Sequence, residues 1–278
     1  LSEQMIKDNL MFTADKIGEP MRIAMSFADR GGLPAAQHGV GDPAVLVDEN
    51  TGTIWVVAVW AHGMGNGRAW TNSRPGMEPI RTPQLMMVRS DDDGCTWSEP
   101  VNVTGQVKDP SGRFLLQGPG RGITMRDGTL VFAIQFIGGD GMPRAGIMFS
   151  KDHGETWNIH NPARSNTTEA QVAEVEPGVL MLNMRDNRGG ARAVMTTKDL
   201  GRTWTEHVSN RTALREPVCM ASLIAVPADR NALGKDLLLF SNPDTTEGRC
   251  DITVKASLDG GVTWPYSLLL DEGDSWGY

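Results

Sequence analysis

Apolar residues along this chain come in short runs separated by clusters of Gly, Asp, Asn and Pro, the pattern of strands joined by turns. Residues 44–47 and 54–60 flank a turn-rich stretch at 48–52, and residues 122–125 and 130–134 bracket Arg126-Asp127-Gly128-Thr129. Residues 179–183 and 191–195 bracket another turn, while 237–240 and 252–255 complete the series. The runs at 85–88 and 145–149 each lead into a phrase the chain spells four times, Ser/Thr-x-Asp-x-Gly-x-Thr-Trp. Its aspartates are Asp92, Asp152, Asp199 and Asp259, spaced by 60, 47 and 60 residues. Repeats at this spacing mark solenoids, propellers or arrays. In each phrase the Asp can accept hydrogen bonds from nearby amides, the Gly can take a turn with positive φ, and the Trp supplies a large apolar anchor. The unit therefore reads strand, turn, strand, longer loop, strand, repeat turn, strand: a four-stranded antiparallel meander repeated radially, an all-β propeller.

The sixteen prolines and 32 glycines suit a loop-rich all-β chain, and only residues 2–29 could carry a short helix. A tight turn is expected between residues 214 and 221. At 278 residues the length admits one large β domain, taken here as 1–278. Four marked repeats plus one unmarked unit at about residues 20–60 imply a segment lacking a first blade and part of the last. Without a run of about 18 apolar residues, no membrane insertion by a helix is expected. Residues 1–4 do not open like a signal peptide. The three cysteines (Cys95, Cys219, Cys250) are scattered and odd in number, which favours free buried thiols over a zinc ribbon or a disulfide framework, a Cys219–Cys250 bridge being the one alternative. A net charge of −8 disfavours nucleic acid as partner. Any anionic ligand would need a local cluster of arginines to overcome that field.

The repeated phrases are Asp boxes, and the chain resembles the bacterial exo-α-sialidases (neuraminidases) along nearly all its length. Three other segments make the resemblance specific. Glu169-Ala170-Gln171-Val172-Ala173-Glu174-Val175-Glu176 followed by Leu182-Asn183-Met184-Arg185 is similar to the family's Glu and second-arginine strand pair. Ser241-Asn242-Pro243 followed by Gly248-Arg249 is similar to its third-arginine segment, and Trp276-Gly277-Tyr278 to its tyrosine-nucleophile segment. Gln117-Gly118-Pro119-Gly120 also resembles a family turn near the pocket. The resemblance implies a six-bladed propeller of four-stranded antiparallel blades, with the Asp boxes as structural fasteners on outer turns away from the catalytic face.

It also implies a chemistry these residue types suit. Sialic acid carries a carboxylate on its anomeric carbon, which the planar guanidinium fork binds bidentately, and Arg185 and Arg249 are the expected arms of that clamp. A carboxylate nucleophile would be repelled by the substrate's own charge, so the family uses a tyrosine, here Tyr278. A phenol with pKa near 10 needs a base within reach, and Glu169 is the candidate, with Glu174 and Glu176 as competitors. Gln135 is expected to touch the glycerol tail, while Trp60, His62 and Trp70 are weaker candidates for an aglycone face. Arg188 and Arg192 are expected to be structural. Arg22 is rejected as the first clamp arginine, and Asp42 as the acid/base, because it precedes a strand. The implied activity is a retaining exo-α-sialidase that needs no metal or cofactor and acts on sialylated glycans. The alternatives are a trans-sialidase and a non-catalytic glycan-binding propeller. Because sialoglycans are extracellular, a periplasmic, secreted or cell-surface location is expected.

Overall fold

A computed structural model describes residues 38–62, 69–275 and 277. Four successive sheets are formed. The first contains β1 (His38–Val47), β2 (Ile54–His62), β3 (Gln84–Ser90) and β4 (Val101–Asn102). The second contains β5 (Phe114–Gln117), β8 (Leu130–Ile137), β9 (Pro143–Ser150) and β10 (Asn158–Ile159), with β7 (Ile123–Thr124) and β11 (Arg164–Ser165) at its margins. The intervening β6 (Gly120–Arg121) crosses over to pair in parallel with β1. The third contains β12 (Thr167–Glu176), β13 (Val179–Asp186), β15 (Ala193–Thr197) and β16 (Thr205–Glu206). A two-stranded link joins β14 (Gly190–Ala191) to β17 (Arg215–Glu216). The fourth contains β18 (Ser222–Val226), β19 (Leu237–Pro243), β20 (Ile252–Ser257) and β21 (Tyr266–Asp271).

Every Asp box joins the third and fourth strands of its sheet, as the repeat predicts. The count of units changes, however. The run at 54–60, assigned to an unmarked unit, pairs directly with β3, so it belongs to the blade of the first Asp box. The strand at 44–47 is drawn into the same sheet by β2. The candidate helix at 2–29 lies outside the described residues.

Two-residue alternation explains how the blades stack. On β8, Leu130, Phe132 and Ile134 pack with Leu46, Trp55 and Leu85 of the first sheet. Val131 and Ala133 pack the opposite way, on Ala170, Leu182 and Met184 of the third. On β13, Leu180 and Leu182 face the second sheet while Met181 meets Leu223, Leu238 and Phe240 of the fourth. Strands buried on both faces bury both parities of side chain, which is why they read as continuous apolar runs and not as alternating ones.

The four boxes fold alike. In the second, Ser150 Oγ accepts the Gly154 amide at 2.8 Å and donates to Asp152 Oδ1 at 2.7 Å. Asp152 in turn accepts the Thr156 amide at 2.9 Å and the Thr156 hydroxyl at 2.6 Å. Gly154 has φ 91°, and a Cβ there would overlap the Trp55 ring, so this position requires glycine twice over. Hydrogen bonds from the Thr203 and Thr263 hydroxyls and amides pull the carboxyls of Asp199 and Asp259 down to about 2. A folded pKa below the unfolded value adds stability above about pH 4 that disappears as pH falls toward 2. Thermal unfolding followed from pH 5 to pH 2 should therefore show a shallower loss in an Asp199→Asn variant than in the parent. Parallel pH profiles would rule out this account of the box.

Candidate active site

The end of the third sheet opposite its Asp box carries the expected carboxylate and arginine. β12 and β13 form a hairpin through the Pro177-Gly178 turn, with Gly178 at φ 76°. After an irregularity next to the turn, between Glu176 and Glu174, regular pairing of this hairpin runs from Glu174↔Leu180 to Ala170↔Met184, and then a second bulge intervenes before Thr167↔Asp186. Glu169 lies in that bulge. Bulges re-aim side chains, and this one brings Glu169 Oε2 to within 2.6 Å of Arg185 Nη1 on the neighbouring strand. The two side chains are 24% and 26% exposed, so the pair is open enough to be reached and shielded enough for its charges to count.

Glu174 and Glu176 take no part. Glu174 sits at the other end of the hairpin, where its carboxylate accepts the Gly178 and Arg126 amides at 2.8 and 2.7 Å. Glu176 is exposed beside the turn. Arg249, half-buried in the loop after β19, comes to the same end as Arg185. The reporter is Cys219: burial pushes this thiol's pKa up, against the nearby positive charges of Arg249, Arg185 and Arg192 and with the charge of Glu169. The charges of Arg249, Arg185, Glu169 and Arg192 thus all act on one buried sulfur.

The first sheet contributes a residue that the sequence reading set aside. Asp42 does not precede a strand. It lies within β1, at a bulge between Gly41 and Ala44, with φ 51°. Its side chain keeps access to solvent, yet dense surroundings and then the charge of Glu169 raise its carboxyl above the ordinary range. The visible signal was an Asp-Pro pair interrupting a strand pattern. Beside it runs the Gln117-Gly118-Pro119-Gly120 turn: Gly120 pairs with Ala44, and a Cβ on Gly118 would strike the Ala170 carbonyl next to Glu169. Gln171 Nε2 locks that turn by donating to the Pro119 carbonyl at 2.7 Å. Two bulges and one tight turn therefore converge on Asp42 and Glu169.

The comparisons with known proteins bear on this site. A model of the BNR repeat-like domain matches residues 18–278. A sialidase of Bacteroides fragilis is 67% identical over 265 residues, which is 95% of this chain and 49% of the relative. The chain belongs to the BNR-repeat sialidase family. The solved Hadza microbial sialidase Hz136 superposes with a TM-score of 0.89 at 86% identity, covering 91% of this chain and 49% of that one. Trypanosoma rangeli sialidase in complex with 2,3-difluorosialic acid shares the fold, at TM-score 0.65 and 24% identity over 78% of this chain and 36% of that one. The sheets described above are thus blades of a sialidase β-propeller, and the chain spans about half the length of the Bacteroides fragilis and Hadza microbial sialidases.

Against that sialidase frame, the remaining candidates fall into place unevenly. Alternation along β8 turns Gln135 to the face of Val131 and Ala133, toward the third blade, but it is buried and stands outside the hydrogen-bond set of Glu169 and Arg185. Trp60 is core, packed with Met86 and Val40, and Trp70 packs edge-to-face on Phe114 with ring centres 5.3 Å apart. The side chain of His62, like Arg22 and Tyr278, lies outside the described residues. What is described is the approach to Tyr278: the Ser275 amide donates to the Arg249 carbonyl at 2.7 Å. The cysteines are free, with Cys219 buried, Cys250 half-buried and Cys95 exposed, so burial of all three is corrected for Cys95. Among the described residues no cluster of three or more His, Cys, Asp or Glu could hold a metal ion.

Proposed function

We propose that this chain forms the site of a retaining exo-α-sialidase that releases terminal sialic acid from glycoconjugates through a tyrosyl-enzyme intermediate. The observation that carries this reading is the Glu169–Arg185 pair at 2.6 Å, whose charges act together with that of Arg249 on the buried Cys219. Arg185 and Arg249 bind the substrate carboxylate. Glu169 takes the proton of Tyr278, whose oxygen attacks the anomeric carbon and expels the aglycone. Water then displaces the tyrosine, so the anomeric configuration is retained. Asp42, a carboxyl on the first blade whose pKa is raised above the ordinary range, is suited to hydrogen-bond a sugar hydroxyl. Trypanosoma rangeli sialidase, alike in fold, is known as a covalent intermediate. A substrate found on extracellular glycans supports export of the protein to the periplasm, the surface or the medium.

Proton NMR of an aryl α-sialoside incubated with the intact protein tests the proposal directly. The first-formed product should be the α-anomer of free sialic acid, which then mutarotates. First formation of the β-anomer would exclude double displacement. Transfer of the sugar to an added galactoside in place of water would reassign the reaction as trans-sialylation.

A further inference from the structure

Behind the two clamp arginines lies an ion pair that the catalytic reading does not use. Arg192 and Glu216 are both 0% exposed, with Nη1 to Oε2 at 2.8 Å. Taking two charges fully out of water is expensive, and an apolar pair of similar volume commonly serves stability as well or better. A pair kept at that cost invites the question of what its geometry holds in place.

Its hydrogen bonds answer in part. Arg192 Nε donates to Asn183 Oδ1 at 2.7 Å, and Nη2 donates to the Asn183 carbonyl at 3.3 Å. Glu216 Oε1 accepts the amide of Asp186 at 2.7 Å. Asn183 and Asp186 flank Arg185 on β13, so the pair grips the strand on both sides of the clamp residue. The same pair also fixes the segment that carries Glu216: Arg192 Nη1 donates to the Cys219 carbonyl at 2.6 Å, and Glu216 Oε2 accepts the Cys219 amide at 3.3 Å. To close that loop, Val218 adopts φ 56°, a left-handed conformation that β-branched residues rarely take.

The segment reaches the second arginine from its other side. Arg215 Nη2 and Nε donate to Asp244 at 3.0 and 3.2 Å, and the Arg215 carbonyl accepts Asn242 Nδ2 at 2.7 Å. Asp244 is held further by Lys255 Nζ at 2.7 Å, and its amide donates to the Asp251 carbonyl, closing the loop on which Arg249 lies. One stretch of five residues therefore contacts the strand of Arg185 through Glu216 and the loop of Arg249 through Arg215.

We propose that residues 215–219, locked by the buried Arg192–Glu216 pair, form a brace that sets the separation of Arg185 and Arg249 and so tunes recognition of the substrate carboxylate. Arg192 and Glu216 are positioning residues and touch no substrate. The inference rests on the assignment of Arg185 and Arg249 as the carboxylate clamp.

The test compares binding of sialic acid and of its methyl ester to the intact protein by calorimetry. A bidentate, charge-assisted contact should make the parent prefer the acid by about tenfold or more. In an Arg192→Met/Glu216→Leu double variant, which leaves no buried charge unpaired, the fold and its thermal midpoint should persist while that preference falls to about threefold or less. A merely space-filling pair would weaken acid and ester equally or leave both alone, so a preserved acid-to-ester ratio in the folded variant overturns the brace. Should the double variant fail to fold, Arg192→Lys and Glu216→Asp keep both charges but lose the fork geometry or one methylene. Each should lower the ratio several-fold, and an unchanged ratio in both again overturns the proposal. A parent that does not distinguish acid from ester would defeat the clamp assignment itself, a different failure from a variant that still does.

Discussion

Replacing Tyr278 by Phe in the intact protein is expected to abolish turnover of an aryl sialoside while leaving the binding of free sialic acid nearly unchanged. Phenylalanine keeps the aromatic ring and removes only the oxygen that would attack. Loss of a catalytic nucleophile costs on the order of a thousandfold or more in kcat in enzymes that act through covalent intermediates. Ser275 is tied to the Arg249 carbonyl at 2.7 Å, and three further residues span at most about 10–11 Å. Glu169→Gln is the informative contrast. Glu169 is bonded to Arg185, so neutralising it removes the base and also disturbs a clamp arginine. That variant should lose kcat and ligand affinity together, where Tyr278→Phe loses kcat alone. Activity at the parent level in Tyr278→Phe would remove the tyrosyl mechanism. A collapse of product binding in that variant would show that the tyrosine orders the site and does not merely react in it.

The second large effect is on stability, and it separates two tryptophans that occupy the same place in the same phrase. Trp157 is 2% exposed and wedged between the first two blades, edge-on to Trp55 at 6.4 Å and tilted over Phe132 at 5.5 Å. Its amide is held by Gln106 Oε1 at 2.8 Å. Truncating it to Ala opens a void between blades that the stiff flanking strands can close only partly, at a cost of about 3–5 kcal/mol. Trp204 is half-buried, with its indole N–H donated to the Asn161 carbonyl at 3.0 Å, so Trp204→Ala should cost clearly less. Denaturant titration of the two variants decides the matter. Equal losses would mean that each box anchors its own turn alone, and that the contact between blades adds nothing.

That contrast also marks how far the chain could be read without its fold. The Asp boxes were legible because their hydrogen bonds are local: Ser150, Asp152, Gly154 and Thr156 complete one another within seven residues. The hairpin that pairs Glu169 with Arg185 was legible for the same reason, since a tight turn at Pro177-Gly178 converts a sequence separation into adjacency. The misplacement of residues 54–60 into a separate unit has a matching cause. Between β2 and β3 runs a long connection, and nothing local announces that the two strands pair.

Asp42 shows the limit most plainly. Its neighbours in sequence suggest only an interrupted strand, and its proximity to Glu169 arises from contacts between residues well over a hundred positions apart. The Arg192–Glu216 pair is similar: a lone arginine after a turn and a lone glutamate before a proline carry no joint signal until β14 and β17 are brought together. Strand periodicity, turn chemistry and the short-range geometry of Glu169 and Arg185 follow from the order of residues, because those interactions close over a few positions along the chain. The burial of Trp157 between Trp55 and Phe132, the gathering of Arg249 and Arg185 about Cys219 and the placing of Asp42 near Glu169 required the packed propeller. These depend on which blade lies against which, and that is decided by the summed burial of many side chains from distant segments.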